Sequence, residues 1–298
     1  MRSKASVLRG LLSAKTFLHM PAVYDPMGAR LVAAAGFESA YVGGYVSGAS
    51  RAVSEPLLTM TEQVAIAGEA AASVPIPFLA DGGAGFGDPL HTMRTVREFI
   101  RAGIAGIHIE DQLFPKRAHY HKYQVHAAPI QEFALKIRYA CMERDRTDPD
   151  FVIIARTDTC REHGLEGAVP RINRAADEGA DLGLLFPRNR EEAERAPREC
   201  RLPLVYVMSR GNRDGRPIFS IGELREMGYA ACIDAQIMLL TAFEANRRML
   251  KELHASGSFA GMDEAAFRVE RQAVEDLIGL EEMYEIEAGT VEGQPAAE

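Results

Sequence analysis

Eight short apolar runs, each followed by a stretch of helical periodicity, limit the folds open to this 298-residue chain more than any other feature. The runs lie at 17–24, 40–43, 76–80, 106–109, 151–155, 182–186, 204–208 and 230–233. The helical patterns follow at 26–35, 61–72, 89–102, 129–144, 165–178, 190–200, 221–227 and 235–255. Runs that are apolar without alternation belong to a parallel sheet covered on both faces. The punctuation agrees. Asp88-Pro89 supplies a cap and a proline at the first helical position. Glycines in RAGIAG, DEGAD and REMGY stop the helices before them. Eight such units predict a (β/α)8 barrel of the TIM type over 1–257, with an open doubly wound sheet as the alternative. GAGFG is not a GxGxxG loop, and no acid stands where a ribose-binding one should, so a dinucleotide-binding fold is rejected.

Composition sets the outer limits. With 47% hydrophobic residues the chain can bury one large core. A net charge of −8, with the basic residues scattered, argues against nucleic acid as a partner. The four cysteines show no CxxC spacing, which argues against a zinc knuckle or a disulfide framework and fits a reducing cytosol. The N-terminal stretch has no uninterrupted apolar core before a cleavage site, and no run reaches the roughly 18 apolar residues of a membrane span. A cytoplasmic protein is predicted. Beyond the eighth unit, 262–287 is an acid-rich helical pattern whose apolar residues, among them Phe267, Val269, Val274 and Ile278, the barrel does not need. A surplus amphipathic helix predicts a subunit contact made by an extension over 258–288. Residues 289–298 read as a disordered tail.

Two segments mark where chemistry is expected: LADGGAGFG (79–87) and IHIEDQLFPKRAHYH (107–121). In each, an apolar run ends in a carboxylate and breaks into a loop, at Asp81 in the first and at Glu110 and Asp111 in the second. The C-terminal ends of barrel strands carry active sites. Carboxylates converging there suit a hard divalent cation such as Mg²⁺, which takes oxygen ligands and keeps several waters. The alternative is that they cap helices or pair with arginines.

These segments, with AGFESAYVGGYVSGAS (35–50) and IIARTD (153–158), make the chain resemble the isocitrate lyase and phosphoenolpyruvate mutase superfamily over nearly its whole length. The resemblance implies a Mg²⁺-dependent enzyme, with Mn²⁺ as the alternative ion, that acts on small 2-oxo or 2-hydroxy carboxylates through enolates. It also implies a homotetramer whose subunits exchange the last barrel helix. By resemblance, Asp81 is the direct metal ligand and Glu110 holds a metal-bound water. Arg156 would grip a substrate carboxylate, for which its planar fork is suited; the alternative is an ion pair with Asp158 or Glu110. Gly43 and Gly44 match a loop whose backbone N–H groups hold substrate. Tyr41 and Asp25 are neighbouring candidates, and Tyr45, Phe186 and Arg188 are expected to set specificity.

The departures are as informative. The superfamily's D-x-D reads Asp81-Gly82-Gly83 here, while Ser54 and Glu55 lie near the place of another acid. The lyase loop K-[KR]-C-G-H reads Lys116-Arg117-Ala118-His119-Tyr120-His121, so the thiol proton donor is absent. Phe186 stands where a glutamate is usual, and Val207 or Ser209 near the place of an asparagine. His119 and His121 titrate near neutrality and Tyr120 can donate a proton, which makes the three candidate general acids. Lys116 would add positive charge as the loop closes over an anion. His108 and His126 are read as structural. The sequence thus predicts a Mg²⁺-dependent lyase that cleaves a C–C bond of a 2-hydroxy di- or tricarboxylate. Two alternatives stand beside it: a decarboxylase, hydrolase or P–C mutase of the same superfamily, and a lapsed carboxylate-binding barrel.

Overall fold

The structure, a computed structural model, describes residues 2–15, 17–117 and 122–292. Eight strands form one parallel sheet: β1 (Leu18–Pro21), β2 (Ala40–Val42), β3 (Phe78–Asp81), β4 (Gly106–Glu110), β5 (Val152–Arg156), β6 (Leu182–Leu184), β7 (Leu204–Met208) and β8 (Ala231–Asp234). Neighbours in sequence are neighbours in space, and β8 returns to pair with β1, Leu18 opposite Ala231. The seam between β1 and β2 is narrower. There a single parallel bridge joins Ala22 to Tyr41, and the Val23 N–H donates to the Tyr41 carbonyl at 2.9 Å. The sheet is therefore a nearly closed barrel of the predicted TIM type, and the open sheet is excluded. Only His19 in β1 and Val207 in β7 break an otherwise fully buried strand pattern, as expected when helices cover one face and packed side chains fill the other.

Two helices add to the predicted eight units. The first, α1 (Lys4–Ser13), is capped by the Ser3 hydroxyl and buries Ala5 and Leu8. Its Arg9 donates to the carbonyls of Asp150 (3.0 Å) and Phe151 (2.9 Å) and to Asp181 Oδ1 (2.9 Å). Those acceptors precede β5 and β6, so α1 packs at the N-terminal end of the barrel. The expected first run over 17–24 shortens to β1 because Asp25 leaves the sheet to cap α2 (Pro26–Ala34), accepting from the Gly28 N–H at 2.6 Å. The second addition, α3 (Gly44–Ser50), opens straight from the end of β2. It is followed by a 3₁₀ turn (Glu55–Leu57) and by α4 (Met60–Ala72), whose capping box pairs Thr59 with Glu62.

The covering helices continue as α5 (Pro89–Arg101), α6 (Ile130–Thr147), α7 (Cys160–Asp177), α8 (Arg190–Glu199) and α9 (Ile221–Met227); α10 (Ile237–Ser256) follows β8 and buries none of its residues. The chain divides into two compact units, Met1–Leu240 with all eight strands and Thr241–Glu298. In the second unit the single helical pattern expected over 262–287 is corrected to two helices, α11 (Glu264–Ile278) and α12 (Leu280–Gly289). Gly279 parts them in the left-handed region at φ 75°, the usual glycine stop for a helix. Among the described residues, no helix is long and apolar enough to cross a membrane.

Candidate active site

Asp81, Glu110 and Arg156 are the last residues of β3, β4 and β5, so strand register alone brings them to one end of the barrel. Glu110 lies opposite Arg156, and Asp81 opposite His108. Asp81 and Arg156 line a cavity of about 450 Å³ whose walls also include Tyr41, Gly44, Tyr45 and His108, and Glu110 lies behind them. Asp81 is fixed from both sides, Oδ1 accepting from the Gly83 N–H (2.7 Å) and Oδ2 from the Gly44 N–H (3.1 Å). Gly44 has to be glycine. A Cβ there would stand 2.6 Å from the Glu55 side chain and 2.9 Å from Asp81 Oδ2. Its N–H is thereby already committed to Asp81.

Charge is dense and buried here. Glu110 is fully buried; its Oε2 accepts from Lys116 Nζ (3.0 Å) and forms an ion pair with the Arg156 guanidinium (3.1 Å), while Oε1 has no hydrogen-bond partner among the described residues. Lys116 also pairs with Glu55, so the predicted loop cation lies between two carboxylates. Burial pushes Glu110 up to about 7, against the pull of Lys116 and Arg156. Burial opposes ionisation of Asp81 too, but His108, Lys116 and Arg156 beside it hold its carboxyl well below the ordinary range. Arg156 is oriented by Asp158, to which Nε donates at 2.9 Å and a terminal nitrogen at 3.1 Å. The ion pairs foreseen as the alternative for Arg156 are both made, with Asp158 and with Glu110.

His108, read from sequence as structural, belongs to the cavity wall. Tyr41 Oη and His108 Nε2 are 2.6 Å apart. Burial, only partly offset by the Asp81 carboxylate, lowers the imidazole to about 4, so it is neutral at pH 7. Glu55 and Ser54 both line the cavity, and Glu55 shares a second, smaller pocket with Gly83. Phe186 receives two guanidiniums over its ring, Arg156 at 5.0 Å and Arg216 at 4.6 Å. An aromatic thus replaces the usual carboxylate without leaving those cations unaccompanied.

Several candidates fall elsewhere. Asp111 turns from the cavity toward Thr157 Oγ1 (2.6 Å) and Arg171 (3.1 Å). Asp25 is a helix cap, and Arg188 pairs with Glu192, Nε to Oε1 2.8 Å, outside the cavity lining. Gly43 and Tyr45 line the cavity, Tyr45 half exposed. His119, Tyr120 and His121 lie outside the described residues. All four cysteines are buried, and burial pushes Cys141, Cys200 and Cys232 up to about 12; none lines the cavity. What sequence reasoning missed is the opposite wall. Arg210, Asn212, Arg213 and Arg216 follow β7, and Gln236 follows β8. Arg210 is oriented by Asp234 at 3.0 Å, and Ser209 by Gln236 at 2.9 Å. The only hint was a run of three arginines in seven residues, SRGNRDGR, after an apolar strand.

Residues 8–254 match the family described as phosphoenolpyruvate phosphomutase. The chain belongs to the phosphoenolpyruvate phosphomutase family. That bears out the resemblance read from its motifs. The chain is 32% identical to the 2,3-dimethylmalate lyase of Eubacterium barkeri over 97% of its own length and 99% of that protein's. The structure of an oxaloacetate acetylhydrolase in complex with 3,3-difluorooxalacetate is similar at a TM-score of 0.89 and 31% identity, covering 99% of each chain. A phosphonopyruvate hydrolase complexed with oxalate and Mg²⁺ is similar at a TM-score of 0.83 and 27% identity, covering 97% of this chain and 100% of that one.

The family's use of a divalent metal can be tested against the donors present. Among the described residues, no three His, Cys, Asp or Glu side chains converge as a ready-made cage. Mg²⁺ does not require one, because it is commonly held through one or two carboxylates and keeps its remaining waters. Asp81 faces the cavity, and the orphaned Oε1 of Glu110 is a buried acceptor waiting for a donor. The donor set fits such an ion.

Proposed function

We propose that this family member is a Mg²⁺-dependent lyase that cleaves a C–C bond of a small 2-hydroxy di- or tricarboxylate, giving a 2-oxo acid through an enolate. One observation carries the reading: Asp81 and Glu110 stand beside Arg156 at one end of the barrel, facing a wall of further arginines. A paired carboxylate site next to several guanidiniums suits a substrate with more than one anionic group. Asp81 would hold the ion directly, with Mn²⁺ as the alternative to Mg²⁺, and Glu110 would take one of its waters. When bound, the ion supplies a Lewis acid that stabilises the oxyanion formed as the bond breaks.

The chain's own residues do the rest. Arg156, held in place by Asp158, grips one carboxylate, and Arg210 or Arg216 receives a second. Tyr41 and neutral His108 form a fixed hydrogen-bonded pair that keeps the floor of the cavity dry and shaped. Lys116 has to leave Glu110 and Glu55 as the ion enters, and it then faces the anionic substrate. His119, Tyr120 and His121 are the proposed proton donors to the leaving enolate, in place of the loop thiol. Four unpaired buried cysteines suit a reducing cytoplasm.

A second reading, hydrolysis or decarboxylation of a 2-oxo dicarboxylate, is favoured by Ala118, which removes the thiol donor that cleavage of this kind commonly uses. Incubation with Mg²⁺ and a panel of branched malates and citrates is expected to yield pyruvate or glyoxylate from at least one of them. If none is turned over while oxaloacetate gives oxalate or CO₂, the second reading replaces the first.

We also propose a homotetramer, with residues 258–288 as an extension that makes subunit contacts. In the unit beyond Leu240, Phe243 and Leu250 on α10 and Phe267 and Val269 on α11 are all exposed. Apolar side chains at this density on a soluble surface usually meet a partner. Light scattering is expected to report a tetramer, and Phe267→Asp with Val269→Asp to shift it to smaller species. A monomer at micromolar concentration would remove the proposal.

A further inference from the structure

Gln63 is only 2% exposed, yet among the described residues neither its amide nitrogen nor its amide oxygen has a hydrogen-bond partner. It sits in the first turn of α4, directly after the Thr59–Glu62 capping box. Its side chain borders a chamber of about 40 Å³ that Leu58, Phe86 and Phe114 line on the apolar side and Asp81, Glu55 and Lys116, the cation that must leave as an ion enters, on the polar side. A buried amide with both ends unsatisfied is costly and uncommon, and leucine or methionine would suit the apolar walls better. The chamber is large enough for a water, and Gln63, Glu55 and Asp81 are the polar partners one needs.

Gly83 borders the same chamber. It is the position where the D-x-D pattern would place its second acid. Its φ is +52°, and a Cβ there would meet nothing closer than the Phe86 ring at 3.8 Å. A side chain there meets no clash, at the cost of a left-handed backbone that aspartate tolerates better than most residues, and Gln63 lines the same chamber from α4. Glu55, beside it, contributes negative charge that an amide lacks.

We propose that Gln63 takes over the part of the missing acid, its amide ordering water in this chamber that completes the hydration shell of a divalent cation on Asp81. The proposal rests on the metal reading above. Its physical basis is that an ion bound chiefly through water is held by whatever accepts or donates to that water, charged or not. Gln63 is a positioning residue here and touches no substrate.

The test is titration of the full chain with Mn²⁺, following free ion by electron paramagnetic resonance. Gln63→Met keeps length and volume and removes the hydrogen bonds; it is expected to weaken Mn²⁺ binding about tenfold. Gln63→Leu provides the same test should the Met variant fold poorly. The melting temperature of the metal-free protein is expected to stay level or rise, since a costly buried amide is gone. Gln63→Glu is expected to bind Mn²⁺ at least as tightly as the parent. In a Gly83→Asp background, the Gln63→Met change is expected to cost less than about twofold, because the two side chains share one task. Unchanged Mn²⁺ affinity in both Gln63→Met and Gln63→Leu overturns the proposal and leaves the metal reading intact. Failure of the parent chain itself to bind millimolar Mn²⁺ overturns both, and that result is seen before any variant is compared.

Discussion

Asp81→Asn is expected to lower turnover of the physiological substrate by roughly 10³-fold while the barrel stays folded. The parent carboxylate is ionised at every working pH, held low by the positive side chains around it, so the substitution removes a full negative charge under all assay conditions. One backbone donor, either Gly44 N–H or Gly83 N–H, keeps an acceptor in the new amide, and the other faces an amide N–H₂. A loss of stability of about 1–3 kcal/mol follows from that mismatch. The large effect falls on the ion. An amide oxygen is a far weaker ligand for a hard dication than a carboxylate, and Arg156 and Lys116 would then repel the ion with one fewer counter-charge. Mn²⁺ titration, a thermal melt and kcat at saturating Mg²⁺ separate the contributions. If the variant retains more than about a tenth of parental turnover, stabilisation of charge by an ion on Asp81 cannot be the main contribution to the rate.

The eight strands were legible because parallel strands buried on both faces leave an unbroken apolar signature. The strand-end carboxylates were legible for the same reason, as polar residues ending apolar runs. Which of two adjacent acids joins the charge cluster was not. Glu110 and Asp111 follow one another at the end of β4, and successive side chains point to opposite sides, so only the closed sheet decides that Glu110 turns to Arg156 and Lys116 while Asp111 turns to Thr157 and Arg171. That His108 lines the cavity was hidden by the same ambiguity, since a histidine inside an apolar run gives no sign of which face it takes. The helix α3 was hidden by its own composition: GYVSGAS is poor in helix formers, and its place after β2, with Gly44 bonded to Asp81, outweighs local propensity. The arginine wall lay in loops after β7, where no periodicity marks side-chain direction. Gln63 was invisible for a different reason. Its importance lies in lacking partners within an apolar chamber, a property of packing that no spacing along the chain encodes.

Arg156→Lys is expected to raise the KM for a dicarboxylate, and weaken oxalate binding in the presence of Mg²⁺, by roughly 10- to 100-fold, the loss of a charge-assisted hydrogen bond of about 1.5–3 kcal/mol. The substitution keeps the charge and removes the fork. In the parent, one edge of the guanidinium is occupied by Asp158, which fixes its plane, and its ring contact with Phe186 fixes the tilt. Its third nitrogen lies 3.7 Å from Asp81, longer than a hydrogen bond. A single ammonium cannot serve Asp158, Glu110 and a substrate carboxylate together, so it would settle between the buried acids and leave the substrate without its partner. A purely structural arginine would behave differently, because Arg156→Lys would then lower the melting temperature and leave oxalate affinity unchanged. Asp158→Asn sharpens the comparison. It leaves the guanidinium charged but loosely held, so oxalate binding should weaken by less than in Arg156→Lys while the order of the two effects on stability reverses. Equal oxalate affinity in all three proteins would assign Arg156 to the ion-pair network alone.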